Sequence, residues 1–72
     1  MAPEDIANRF AFHPAATDAR RQAHEDVRGL CLALAGELDG LLPEGREKSL
    51  AITNLEQTMF WANAAIARQK EG

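Results

Sequence analysis

Much of what stabilises or activates a small protein is missing from this sequence. Its single cysteine, Cys31, cannot close an internal disulfide, and a free thiol fits a reducing compartment best. Cys31 with His13 and His24 gives no zinc-ligand spacing, so no structural metal is expected. Basic charge is scarce: eight Lys and Arg face eleven Asp and Glu, for a formal net charge of −3 and a sequence pI near 5.2. That balance argues against sequence-independent binding to a DNA or RNA duplex, which relies on a strong basic footprint. It leaves room for a small anion, which needs only a few well-placed cations. No apolar run approaches the roughly 18 residues of a membrane span. The opening Met-Ala-Pro-Glu-Asp also lacks the basic and apolar regions of a signal peptide. The protein is expected to stay soluble where it is made.

Catalytic patterns are missing as well. There is no Ser-His-Asp arrangement with a recognisable local motif, no Gly-rich phosphate loop, and only one Cys with two His. Glu44, Glu47 and Glu56 lack metal-ligand spacing and read as caps and solvated faces. Cys31 falls on an apolar stripe, where it reads as a small core residue. The expectation is a protein without cofactor, metal or turnover.

What is present is helix. Pro3, Glu4 and Asp5 suit the first turn of a short helix over about 3–10. Pro14 pushes the residue before it into extended geometry, so 11–16 reads as an arm carrying Phe12 and His13. Thr17 or Asp18 caps a helix over about 18–40, with Val27, Cys31, Leu34, Leu38 and Leu41 at near-heptad spacing. Leu30 and Ala33 widen that stripe. Residues 41–45 form a turn, and a third helix follows over about 46–69 with Ile52, Leu55, Met59, Ala62 and Ile66 on a matching seam. Two such seams close an antiparallel helical hairpin. The fold class is therefore all-α: a short N-terminal helix plus a hairpin, in one domain.

The segment Met59 to Arg68 holds the only Trp and one of three Phe. Leu50, Phe60, Trp61 and Ala64 lie off the seam, so the last helix is apolar on more than one face. A chain of 72 residues has little interior, since domains near this size bury only about 60% of their unfolded surface. Without disulfide or metal, association is the remaining route to stability, and an oligomeric bundle is expected.

The polar and aromatic candidates each have two readings. Phe12 is either a plug for the hairpin or a neighbouring subunit, or an aromatic plate for a nucleobase, where stacking is worth about 1–3 kcal/mol. His13 serves a ligand or satisfies a backbone group beside Pro14. Arg20, Arg21 and Arg28 mix with Glu25 and Asp26 as solvated pairs do, yet Arg28 flanks the seam and can reach a neighbour. Arg46 and Lys48 sit at a helix N-terminus, where cations oppose the dipole; their presence points to an anion or an acidic neighbour. Arg68 suits a helix C-terminus for the same electrostatic reason.

Several stretches resemble, in order, a phage family. They are Asn8-Arg9-Phe10-x-Phe12-His13-Pro14, Val27-Arg28, Pro43-Glu44-Gly45-Arg46-Glu47-Lys48-Ser49-Leu50-Ala51, Leu55-Glu56, and Met59-Phe60-Trp61-Ala62-Asn63-Ala64-Ala65-Ile66-Ala67-Arg68. The family is the small anti-CBASS sponge of bacteriophages, which sequesters cyclic oligonucleotide messengers in the cytoplasm of the infected bacterial host. The resemblance implies a hairpin with a short N-terminal helix, assembled as a homohexamer, a trimer of dimers. It implies cyclic dinucleotides such as cyclic GMP-AMP held between protomers, and in many members cyclic trinucleotides at separate pockets, all bound without cleavage. Phe12 stands where the family commonly has a stacking Tyr, keeping the ring and losing the hydroxyl, with His13 beside it. Arg28 matches the basic residue that contacts phosphate. Arg68 matches the Arg of the trinucleotide pocket, with Asn8 and Arg9 as further members. From the residues alone, the competing reading is a small helical oligomerisation or adaptor protein that grips another protein through its apolar face.

Overall fold

The computed structural model describes residues 2–10 and 17–69, which form α1 (Pro3–Phe10), α2 (Asp18–Leu41) and α3 (Arg46–Ala67). There is no strand among the described residues. Each boundary has a local cause. Pro3 occupies the first position of α1, where a missing N–H costs nothing, and Asp5 and Ile6 donate back to the Ala2 carbonyl. Thr17 caps α2 from extended backbone, its hydroxyl accepting the Arg20 amide at 3.1 Å. Leu42 ends α2 with ψ 141°, the geometry forced on the residue before Pro43. Gly45 enters α3 at φ 152°, which a residue with a Cβ adopts only with strain.

α2 and α3 pack antiparallel. Val27, Cys31, Ala35, Leu38 and Leu42 are half-buried on one side, against Ile52, Leu55, Met59, Ala62 and Ile66 on the other. The α3 seam follows its sequence spacing. The α2 seam differs from the expected one: Leu34 and Leu41 are exposed, as are Leu30 and Ala33, while Ala35 and Leu42 face the partner. A helix at 3.6 residues per turn drifts about 20° per heptad away from a 3.5 repeat. Over the length of α2 that drift rotates the heptad positions out of the contact and brings their neighbours in.

The pair is one layer deep. The principal extents are 44 × 31 × 16 Å, and the radius of gyration of 15.4 Å exceeds the about 11 Å of a compact chain of this length. No apolar side chain among the described residues is fully buried. Each seam residue therefore contributes less than the about 1.5–3 kcal/mol of complete burial.

The most enclosed described residue is Lys48, 8% exposed. Its ammonium donates to the Asp39 carbonyl oxygen at 2.8 Å and to Glu44 Oε1 at 2.6 Å, and it pairs with Asp39 Oδ1 at 2.9 Å. These contacts use all three of its donors and tie the end of α2, the turn and the start of α3 together. The acidic neighbour that a cation at this helix start demanded is thus within the chain. Glu44 is correspondingly part of the turn's clamp and not only a solvated carboxylate.

The hydrogen bonds to Glu44 and then Asp39 raise the Lys48 pKa above its ordinary 10.5. A raised folded-state value means that the clamp stabilises fully below the unfolded value and loses its effect as pH rises through the folded one. Lys48→Met is expected to lower the thermal midpoint at neutral pH. The difference from wild type should hold constant up to pH 10.5 and shrink above it. A difference that vanishes in the neutral range would show that the clamp does not stabilise the turn.

Candidate ligand-binding site

The last turn of α1 and the last two turns of α3 meet around a pocket of about 360 Å³ lined by Arg9, Phe10, Trp61 and Arg68. That volume falls within the about 300–1,000 Å³ of small-molecule sites. Arg68 Nη2 donates to the Arg9 carbonyl oxygen at 3.3 Å. This carbonyl lies in the last turn of α1, where positive charge is favoured. Trp61 and Arg68 are seven residues apart on α3, two turns, and so share a face. Phe10 is 86% exposed and Trp61 68%. Among the described residues, no ion pair joins Arg9 or Arg68 to a carboxylate.

Two polar contacts fix the pocket's α3 side against α2. His24 Nδ1 and Asn63 Oδ1 are 2.9 Å apart, and Arg20 Nη2 donates to the Gln69 carbonyl at 3.1 Å. The first is half-buried between the helices, so losing either partner would strand a polar group there.

A second, mostly apolar groove of about 260 Å³ runs between α2 and α3. Arg28, Cys31, Leu32 and Ala35 line it from α2, and Ile52, Leu55, Glu56 and Met59 from α3. Arg28 and Glu56 are its charged residues.

Of the residues singled out in the sequence, Arg9 and Arg68 come together in the first pocket, and Arg28 stands apart in the second. Phe12 and His13 lie outside the described residues, and so does the side chain of Asn8. Phe10 and Trp61 were not marked as site residues. The adjacency of Phe10 to Arg9 and the two-turn spacing of Trp61 from Arg68 were the available signals. Among the described residues, no group of three His, Cys, Asp or Glu could hold a metal ion. No helix among them is long and apolar enough to cross a membrane.

The sequence model of the Acb2/Tad1 hairpin domain matches residues 2–67. It thus spans all three helices and ends one residue before Arg68. No curated protein and no solved structure matches the chain.

α1 has no helix-to-helix packing against α2 or α3, so the Arg68 contact is a principal tie between α1 and α3. Arg68→Ala is expected to lower amide-exchange protection in α1 about fivefold, because a solvent-facing charge-assisted hydrogen bond contributes about 1 kcal/mol. Protection in the α2–α3 pair should not change. Unaltered exchange in α1 would show that this bond does not hold it.

Proposed function

Because the chain belongs to the Acb2/Tad1 hairpin-domain family, we propose that it sequesters cyclic oligonucleotide messengers without cleaving them. On this reading a phage makes it in the cytoplasm of its bacterial host. There it holds cyclic dinucleotides such as cyclic GMP-AMP, and cyclic trinucleotides at a second pocket, so that CBASS effectors never meet their activator. The observation that carries the reading, beside the family, is the pairing of Arg9 and Arg68 with two aromatic rings in one pocket of an acidic chain.

The chemistry matches part to part. A cyclic oligonucleotide carries phosphates and bases with flat π-faces. Guanidinium groups meet phosphate oxygens in bidentate fashion, so a few Arg side chains capture an anion despite the net negative charge. A rigid cyclic ligand loses little conformational entropy on binding. Phe12 stacks on a base of the dinucleotide beside His13, and Arg28 meets its phosphate in a site shared between protomers. Arg68, Arg9 and Asn8 take the trinucleotide. The protein works as a homohexamer, and the exposed Leu30, Leu32, Leu41 and Phe60 supply contact surface between copies.

Those same exposed side chains favour a second reading, an adaptor that grips another protein. Arg28→Glu separates the two. For a sponge it should weaken dinucleotide binding by at least about thirtyfold, the loss of a charged hydrogen bond, while an apolar protein contact would barely change. Phe12→Ala should abolish dinucleotide binding with the assembly intact. Native mass spectrometry against a panel of cyclic dinucleotides and trinucleotides should show ligand bound, released unaltered on denaturation, at less than one dinucleotide per chain. Degraded ligand, or no binding to any member of the panel, overturns the proposal.

A further inference from the structure

We infer that Phe10 and Trp61 are base-stacking walls of the Arg9–Arg68 pocket, which therefore selects phosphates that carry a nucleobase over phosphates that do not. The inference rests on the sequestration reading and adds to it the residues that would give this pocket its selectivity.

Two features of the pocket have to be explained together. Its aromatic rings are exposed, Phe10 at 86% and Trp61 at 68%, and large exposed rings mark a surface that something covers. Its cations have no carboxylate partner among the described residues. An apolar partner surface would satisfy the rings but would strip water from two unpaired guanidinium groups, which is costly. Inorganic phosphate would satisfy the cations and leave the rings in water. A nucleotide meets both needs at once, since its base offers a π-face and its phosphate two or more acceptor oxygens.

The arrangement also orders the ligand. One donor of Arg68 is taken by the Arg9 carbonyl, which leaves its other donors for a phosphate. Trp61 stands two turns earlier on the same face of α3, about 10.5 Å away along the axis at 1.5 Å per residue. A base against Trp61 therefore lies on the N-terminal side of a phosphate held by Arg68.

Trp61 is the only tryptophan, so its emission reports this pocket alone. The full chain is titrated with cyclic tri-AMP and with inorganic pyrophosphate, following emission and calorimetry together. Cyclic tri-AMP is expected to bind, quench Trp61 and shield it from acrylamide. Pyrophosphate should bind at least about tenfold more weakly, since stacking on one ring is worth about 1–3 kcal/mol. Trp61→Leu should weaken cyclic tri-AMP by a similar factor, and Trp61→Phe should restore most of it. Phe10→Leu, on an exposed ring at the end of α1, gives the same test if the Trp61 variants misfold. Calorimetric binding with unaltered emission, or full affinity in both the Trp61→Leu and Phe10→Leu variants, overturns the stacking assignment and leaves sequestration standing. Absence of binding to any cyclic oligonucleotide overturns both.

Discussion

Two helices laid side by side make a layer, not an interior, and most of this protein follows from that geometry. A layer 16 Å thick gives each seam residue protein on one side and water or another chain on the other. Hydrophobic stabilisation scales with the area withdrawn from water, so the hairpin alone withdraws only part of what its sequence offers. Polar contacts consequently carry more of the definition of the structure than they do in a larger domain. The most enclosed described side chain is a lysine, and the contacts that locate the two ends of the hairpin are the Lys48 clamp and the His24–Asn63 bond.

The cations divide by whether the chain itself neutralises them. Lys48 is satisfied in the turn, and Arg21 pairs with Asp18 within one turn of α2. Arg9, Arg28, Arg46 and Arg68 form no ion pair among the described residues; the first two and Arg68 line the two pockets, and Arg46 stands at the start of α3. Net charge describes how the molecule looks to a distant polyanion. It says nothing about a few angstroms of surface where committed and uncommitted cations have been sorted. Such a sorting leaves an acidic protein with local surface that an anion can approach.

The helices and the hairpin were legible because their signals are local or strictly periodic. Pro3, Thr17 and Pro43 mark boundaries through backbone sterics and capping, and the α3 seam holds its spacing from Ile52 to Ile66. The α2 seam was misjudged at Leu34 and Leu41 because a heptad template and a straight helix diverge over a helix of this length. The family was legible in the Met59-to-Arg68 segment and its companions. The pocket lined by Arg9, Phe10, Trp61 and Arg68 was legible only in part. Arg9 and Arg68 could be named separately, but their meeting depends on one side-chain bond from Arg68 to the Arg9 carbonyl, which leaves no periodic trace. Phe10 and Trp61 were hidden by the same gap and by the ordinary assumption that aromatics near a seam belong to packing.

The polar ties at the two ends of the hairpin also fix its gearing. A slip of α3 along α2 by one turn, about 5.4 Å, would carry Lys48 out of reach of Asp39 and Asn63 out of reach of His24 at the same time. The register is thus locked at opposite ends, and the sliding that lets packed helices relay a signal is denied to this pair. The groove around Arg28 and the pocket around Arg68 consequently keep a constant separation. On the proposed reading, filling one would give no mechanical push to the other, and two cargoes would occupy independent berths.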